Sequence, residues 1–336
     1  MTYRQLKAAL LMVFPAVFLP VANRSRYITP ARLTTSALRA GKVIQMVQRL
    51  ACGIVCRQWY LLASFIYGYS IMSLSTATTA LPYLQQFSLS GKIALISGAA
   101  RDIGLEIARA MAGSGAHVIL NGRDSVTLAS AAAGISASGG SAQVMAFDIT
   151  DAAAVKAAFS AIAQQHGRLD ILVNNAGVRH RKPLLEFSDA EIQSMLATNL
   201  IAGYTLAREA ARLMVPQQSG RIITVTSIAG KVARAGDAVY TGAKAGLTGM
   251  MRALAAEYGS LGITSNAIAP GGVVTAANAA AIADPKFNAH FAMRTPLGRW
   301  AQPQEIAGAA VFLASNAATY VNGHVLYVDG GMSIAM

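Results

Sequence analysis

From residue 92 onward the chain alternates short β-branched runs with Ala-rich stretches of helix length, and this alternation is the strongest constraint on its fold. Strands are predicted over 92–97, 117–121, 142–147, 170–174, 221–226, 264–269 and 325–328. Helix-length segments lie between them, such as 102–113, 151–166, 189–214 and 238–258. Ile93-Ala94-Leu95-Ile96 is apolar at every position, which suits a strand buried on both faces. Alternation at this spacing predicts an α/β fold, a doubly wound (Rossmann) three-layer sandwich on a seven-stranded parallel sheet with right-handed crossovers. Ligands of such sheets bind at the carboxyl ends of the strands, so function is sought there. No internal repeat or linker follows Met72, and residues 72–336 are read as one domain.

The first 71 residues differ in kind. With 54% hydrophobic and 13% charged residues the 336-residue chain is not disordered as a whole. Its net charge of +13 invites a nucleic-acid reading, but residues 1–71 carry nine Lys and Arg with no Asp or Glu. That leaves +4 for residues 72–336, an ordinary balance, and no nucleic-acid partner is expected. Cys52 and Cys56 also lie in this extension. Two cysteines make no disulfide framework, and no second Cys or His pair stands near them to complete a metal site, so no metal is expected.

The extension holds two apolar stretches, 8–22 and 59–72, the first interrupted by Pro15 and Pro20. Each falls short of the roughly 20 residues a spanning helix needs, and membrane insertion is not expected. A basic start before 8–22 resembles a secretory signal, and abundant Arg without acid resembles a transit peptide. A third reading, preferred here, is a start codon assigned too far upstream, with the native protein beginning at or near Met72.

Ser97-Gly98-Ala99-Ala100-Arg101-Asp102-Ile103-Gly104 follows the first strand and opens a helix. Small residues there let backbone N–H groups approach a pyrophosphate at the positive helix end. Asp102 stands where the usual pattern has glycine; the preferred reading is that it N-caps the helix and points away from the ligand. The second strand ends Asn121-Gly122-Arg123, without the acid that binds a ribose 2′-OH in NAD enzymes. Arg123 with Arg101 makes a phosphate-binding pair, which favours NADP over NAD; the alternative is an Arg123 in solvent, paired with Asp124. Asp148 ends the third strand, where it can accept from an adenine amino group or cap the next helix, a role Thr150 or Asp151 can share. Asn174-Asn175-Ala176-Gly177 offers amides to brace the sheet beside the cofactor.

Tyr240-Thr241-Gly242-Ala243-Lys244 puts a phenol and an ammonium one helical turn apart. A free phenol titrates near pH 10, and a fixed cation beside it favours the phenolate. Ser227 ends the fifth strand and Asn199 lies on the preceding helix. In this order Ser97–Gly104, Asp148, Asn174 to Gly177, Asn199, Ser227, Tyr240, Lys244 and Pro270-Gly271 resemble the short-chain dehydrogenase/reductase family, over essentially all of the domain.

The resemblance implies an oxidoreductase interconverting a secondary alcohol and a ketone. Tyr240 would be the general acid or base, and Lys244 would lower its pKa and bind the nicotinamide ribose. Ser227 would polarise the carbonyl, and Asn199 would hold a water that relays protons to Lys244. Cofactor contacts are implied for Ser97, Gly98, Arg101, Ile103, Gly104, Arg123, Asp148, Asn175, Ala176, Gly177, Tyr240, Lys244, Pro270, Gly271, Val273 and Thr275, the last two holding the carboxamide.

Val178-Arg179-His180-Arg181-Lys182-Pro183, Arg294-Thr295-Pro296-Leu297-Gly298-Arg299-Trp300 and Val321-Asn322-Gly323-His324 look like the gluconate 5-dehydrogenase branch. Arg181 can pair bidentately with a sugar-acid carboxylate, beside Ser227 and Tyr240 at the substrate. Arg179 and Lys182 are expected to face water, as is His180 unless it meets substrate hydroxyls. Arg294 and Arg299 are expected to cap a helix or serve a subunit contact. A 3-oxoacyl-(acyl-carrier-protein) reductase is the alternative enzyme, and a non-catalytic nucleotide-binding or membrane-tethered module the second alternative. A cytoplasmic homo-tetramer or homo-dimer is implied.

Overall fold

The computed structural model describes residues 82–335. The basic extension 1–71, its two apolar stretches and both cysteines lie outside the described residues.

Seven strands form one sheet: β1 (Ile93–Ile96), β2 (His117–Gly122), β3 (Ser141–Ala146), β4 (Ile171–Asn174), β5 (Gly220–Val225), β6 (Ile263–Pro270) and β7 (Val325–Val328). Their order is β3-β2-β1-β4-β5-β6-β7, and every neighbouring pair is parallel. The order reverses between β1 and β4, which opens the crevice at their carboxyl ends. The predicted strands are all present, with ends displaced by a residue at most sites.

Alternate strand residues feed two cores, as the two-residue period of a strand requires. Ile96, Leu120, Val173 and Ile223 pack with Ile107 and Met111 of α1 (Asp102–Gly113), Ile135 of α2 (Ser125–Ala137), and Ile306 and Leu313 of the last long helix. Leu95, Ile119, Leu172 and Ile222 pack on the other face with Val155, Phe159 and Ile162 of α3 (Ala152–His166). Residues 189–214, expected as one helix, are instead α4 (Asp189–Leu196), a π-helical turn (Ala197–Ile201) and α5 (Ala202–Gln217). The π turn inserts one extra residue into the helix, and it carries buried Asn199 toward the end of β4. Further helices are α6 (Ala238–Tyr258), α7 (Ala279–Ala283), α8 (Pro285–Arg294) and α9 (Pro303–Ala314), and a single helical turn, Pro82–Gln85, precedes β1.

Candidate active site

The phosphate turn is shaped by backbone. Gly98 takes φ +65°, and a Cβ there would lie 2.9 Å from Ala176 Cα. A Cβ on Gly104 would lie 2.1 Å from the Gly98 carbonyl oxygen, so only glycine lets α1 start this close to β1. Asn175 Nδ2 donates to the carbonyls of Ser97 (2.9 Å) and Gly98 (3.2 Å). Ser97, buried at the end of β1, accepts at its hydroxyl from the N–H groups of Asn175 (3.0 Å) and Ala176 (3.1 Å). The expected bracing of the sheet by these amides is therefore present, and Asn174 Nδ2 adds a bond to the Gly203 carbonyl. Ile103 is half-buried against the core beneath α1.

Asp102 does not cap α1. The residue before the helix is Arg101, which makes no side-chain cap bond. Asp102 itself is the first helical residue, at φ +51°, and its Oδ1 accepts from the Ala276 N–H at 3.1 Å. Its carboxylate therefore reaches across the crevice to the segment after β6, rather than back to its own helix or away from the site. Arg101 Nε stands 3.8 Å from Asp102 Oδ2, with its side chain largely exposed.

Arg123 is exposed beyond β2. Asp124, the alternative partner for it, instead caps α2 by accepting from the N–H groups of Val126 and Thr127. Asp148 Oδ1 accepts from the Thr150 N–H (2.8 Å) and hydroxyl (2.7 Å), which hold its carboxyl below the usual range, with the positive Arg123 adding a little. The cap of α3 belongs to Asp151. Past β6, Gly271 N–H donates to the Val328 carbonyl and Val273 is buried. Thr275 stands in extended backbone one residue before Ala276. A Cβ on Gly272 would lie 1.9 Å from the Phe291 ring, which stacks on Trp300 at 3.8 Å between centroids.

At the end of β5 the site is shaped by side chains. Ser227 Oγ accepts from the Ala229 N–H at 3.1 Å, and its hydroxyl favours the phenolate of Tyr240, which stands in the first turn of α6. Lys244, one turn on, is buried, and its Nζ donates to the Val225 carbonyl at 2.9 Å. Burial brings its pKa down to about 8, with Arg179 adding repulsion. Burial pushes the Tyr240 phenol above its ordinary value; Arg179 is the largest opposing influence, ahead of the Ser227 hydroxyl. Lys244 was expected to be the cation that brings the phenol down, but here the cation nearest the ring is Arg179.

Asn199 spends its amide on one residue, accepting from the Val178 N–H (2.9 Å) and donating to the Val178 carbonyl (2.8 Å). That ties down the chain leaving β4, with one amide N–H and one Oδ1 lone pair of Asn199 left over for other partners. A Cβ on Gly177 would fall 2.7 Å from Asn199 Oδ1 and 3.6 Å from Lys244 Nζ, so Gly177 lets these groups meet.

Two residues expected to face water do so only in part, each being held in an ion pair. Arg179 forms a two-bond ion pair with Asp237, which is 1% exposed, and lies over the Tyr240 ring with Cζ 4.6 Å from its centroid. Lys182 pairs with Glu191 at 2.7 Å. Arg181 donates through Nε to both Asp237 oxygens at 3.2 and 3.1 Å, while His180 is exposed. Asp237 was missed in the sequence, where an Asp before a helix reads as a cap; it makes no side-chain cap bond. Arg299 forks onto the carboxylate of Glu305, which with Gln302 closes the start of α9; the cap is theirs, and Arg299 braces it. Arg294 lies in the last turn of α8, where a cation suits the helix end. Among the described residues no group of three or more His, Cys, Asp or Glu could hold a metal, and no helix is long and apolar enough to cross a membrane.

Residues 98–333 match the family model described as enoyl-(acyl carrier protein) reductase. The chain is 42% identical over 250 residues to the gluconate 5-dehydrogenase of Gluconobacter oxydans (strain 621H), covering 74% of this chain and 98% of that protein. It is 39% identical over 246 residues to the 3-oxoacyl-(acyl-carrier-protein) reductase of Escherichia coli (strain K12), covering 73% and 98%. The solved gluconate 5-dehydrogenase from Burkholderia cenocepacia J2315, in complex with NADP and tartrate, superposes with a TM-score of 0.74 at 37% identity, covering 76% of this chain and all of that one.

Proposed function

The chain belongs to the short-chain dehydrogenase/reductase family of oxidoreductases, and from that premise we propose that it interconverts D-gluconate and 5-keto-D-gluconate with NADP(H). The observation that carries this reading is the 42% identity to the Gluconobacter gluconate 5-dehydrogenase across nearly all of that protein.

The residues present fit a phosphorylated dinucleotide. A glycine-framed turn stands at the start of α1, β2 ends without an acid, and the exposed Arg101 and Arg123 supply cations for a 2′-phosphate. Ser97, Gly98, Ile103, Gly104, Asp148 and Asn175 to Gly177 would shape the adenosine and pyrophosphate end. Pro270, Gly271, Val273 and Thr275 would shape the nicotinamide end. The nicotinamide, when bound, supplies or takes the hydride.

The protein handles the proton and the orientation. Tyr240 gives its phenolic proton to the substrate oxygen in reduction and removes it in oxidation. Ser227, whose hydroxyl favours the phenolate of Tyr240, donates to the same substrate oxygen and holds the carbonyl in line. Lys244 would hold the nicotinamide ribose and adds positive charge one turn behind Tyr240. Arg181 uses only Nε on Asp237, which leaves its two terminal nitrogens for the sugar-acid carboxylate. Asn199 acts by fixing Val178, and so the start of the arginine-bearing loop.

The test is NADPH oxidation by the full chain with 5-keto-D-gluconate, beside NADH and an acetoacetyl thioester. A higher kcat/KM with the keto acid and NADPH is expected. Preference for the thioester selects the second reading, a 3-oxoacyl-(acyl-carrier-protein) reductase, which the 39% identity to the Escherichia coli enzyme supports. Arg181→Ala sharpens the choice: a large loss with the keto acid and little change with the thioester is expected. The same proposal includes a cytoplasmic homo-tetramer or homo-dimer, checked by sedimentation and cell fractionation.

A further inference from the structure

Asp237 presents an unusual arrangement. It stands immediately before α6, three residues ahead of Tyr240, yet it makes no side-chain cap bond to that helix. Its carboxylate is 1% exposed and receives two arginines from the loop after β4. A buried carboxylate is costly unless its lone pairs are filled by charged donors, and here Arg179 and Arg181 fill them. The cluster carries one negative and two positive charges, a net +1 beside the phenol.

Within that cluster Arg179 has the more confined place. Its side chain is 29% exposed, gripped on one side by Asp237, and its Cζ is 4.6 Å from the centroid of Tyr240. A guanidinium over an aromatic face is attracted to the ring, and more strongly when the ring carries charge. Other groups that face Tyr240 are Lys244 from its own helix, with Nζ 5.7 Å from the centroid, and the Ser227 hydroxyl from the end of β5. Arg234, from the loop before α6, acts on Arg181.

We propose that Arg179, anchored by Asp237, is a positioning residue for Tyr240, holding the ring in place and stabilising its phenolate by lying on the ring face. This rests on the reading of Tyr240 as the proton donor and acceptor. The geometry gives the site two cations of different character. Lys244 is buried and titrates at about 8, so its charge fades as the solution becomes alkaline. A guanidinium stays charged throughout that range, so Arg179 maintains support for the phenolate where Lys244 loses its own.

The test uses the full chain labelled with carbon-13 at the tyrosine Cζ, with the Tyr240 resonance assigned by its loss in Tyr240→Phe. Arg179→Gln is expected to raise the midpoint of the Tyr240 titration by one unit or more, a tenfold smaller phenolate fraction at a given pH. Arg179→Lys, which keeps a charge, is expected to recover at least half of that shift. An unchanged midpoint in Arg179→Gln would overturn the proposal. Should that variant not fold, the ring contact is read in the unsubstituted chain. The Arg179 Hδ protons should lie upfield of their position in Tyr240→Leu, which lacks the ring, and equal shifts in the two would likewise overturn it. The acid limb of the kcat/KM profile for gluconate oxidation should move with the midpoint. A moving midpoint without gluconate turnover leaves this proposal standing and removes the substrate assignment instead.

Discussion

At the end of β1 the crevice is shaped by backbone: two glycines, a left-handed turn and the Asn175 amide set where a phosphate can approach. At the end of β5 it is shaped by buried charge: Lys244 and Asp237 are almost wholly enclosed, and Arg179 packs against the phenol. The first half is sensitive to added atoms and tolerates charge at its rim, since Asp102 stands there. The second is sensitive to changes of charge at constant shape, because its ions are buried: Lys244 has a carbonyl and, among the described residues, no counter-ion, and Asp237 depends on two arginines. One cleft thus has two kinds of fragility, and substitutions should separate them.

The largest effect is expected at the charged end. Tyr240→Phe removes one oxygen and should lower kcat about 10²- to 10⁴-fold, as loss of a general acid does, with NADPH affinity nearly unchanged. A parallel loss of NADPH affinity, read by fluorescence titration, would show that the two halves are not separable in this way.

Next is Lys244, which stays charged in its buried site at a cost. Its pKa falls from 10.5 to about 8 on folding. Between those values the unfolded chain binds a proton that the folded chain does not, so stability rises with pH across that window and the penalty is fully present below pH 8. Lys244→Met should therefore stabilise the fold at pH 7 by up to about 3 kcal/mol while abolishing turnover. The gain should fade by pH 10.5. Urea unfolding at both pH values checks this, and equal gains at the two would break the link to titration.

At the backbone end, Gly104→Ala adds a single methyl group against the Gly98 carbonyl and Asn175 Nδ2, at 2.1 and 2.5 Å. Overpacking of this kind costs about 2 kcal/mol, and NADPH binding should weaken more than tenfold as the turn opens. Unchanged binding would mean that the turn has slack not evident in its contacts. The smallest effect is expected from Asp102→Gly, which relieves a left-handed non-glycine residue and removes a negative charge from the helix start, at the loss of the bond to Ala276. The net change in NADPH binding should be about 1 kcal/mol toward tighter affinity, larger at low salt. Weaker binding would show that the Asp102–Ala276 contact helps to form the pocket.

Much of this was legible beforehand because the middle of the sheet is buried on both faces: β1, β2 and β4 read as largely apolar runs, and the order of motifs places Ser227, Tyr240 and Lys244 at one strand end. The π turn at Ala197–Ile201 left no such mark, since an apolar pattern continues through it and the extra residue is a matter of hydrogen-bond register. Asp102 was taken for a helix cap, and Asp237 went unremarked before its helix. Local sequence favours that role for an Asp beside a helix start, and only the tertiary fold supplied the competing partners, Ala276 in one case and Arg179 with Arg181 in the other. Arg179 read as solvated for the same reason: its partner is 58 residues away along the chain.

Ser97 bears on how the molecule assembles itself. Its hydroxyl donates to the carbonyl of Val173 and accepts from Asn175 and Ala176, all 76 to 79 residues along the chain. No fragment that ends before β4 can set the phosphate turn, and closing a loop of that length is a slow, entropically opposed step. During synthesis the chain therefore gains affinity for its nucleotide only after its fourth strand has joined the first. Nucleotide capture becomes a readout of that joining, and the nucleotide, by binding only the joined state, stabilises the young chain from then on.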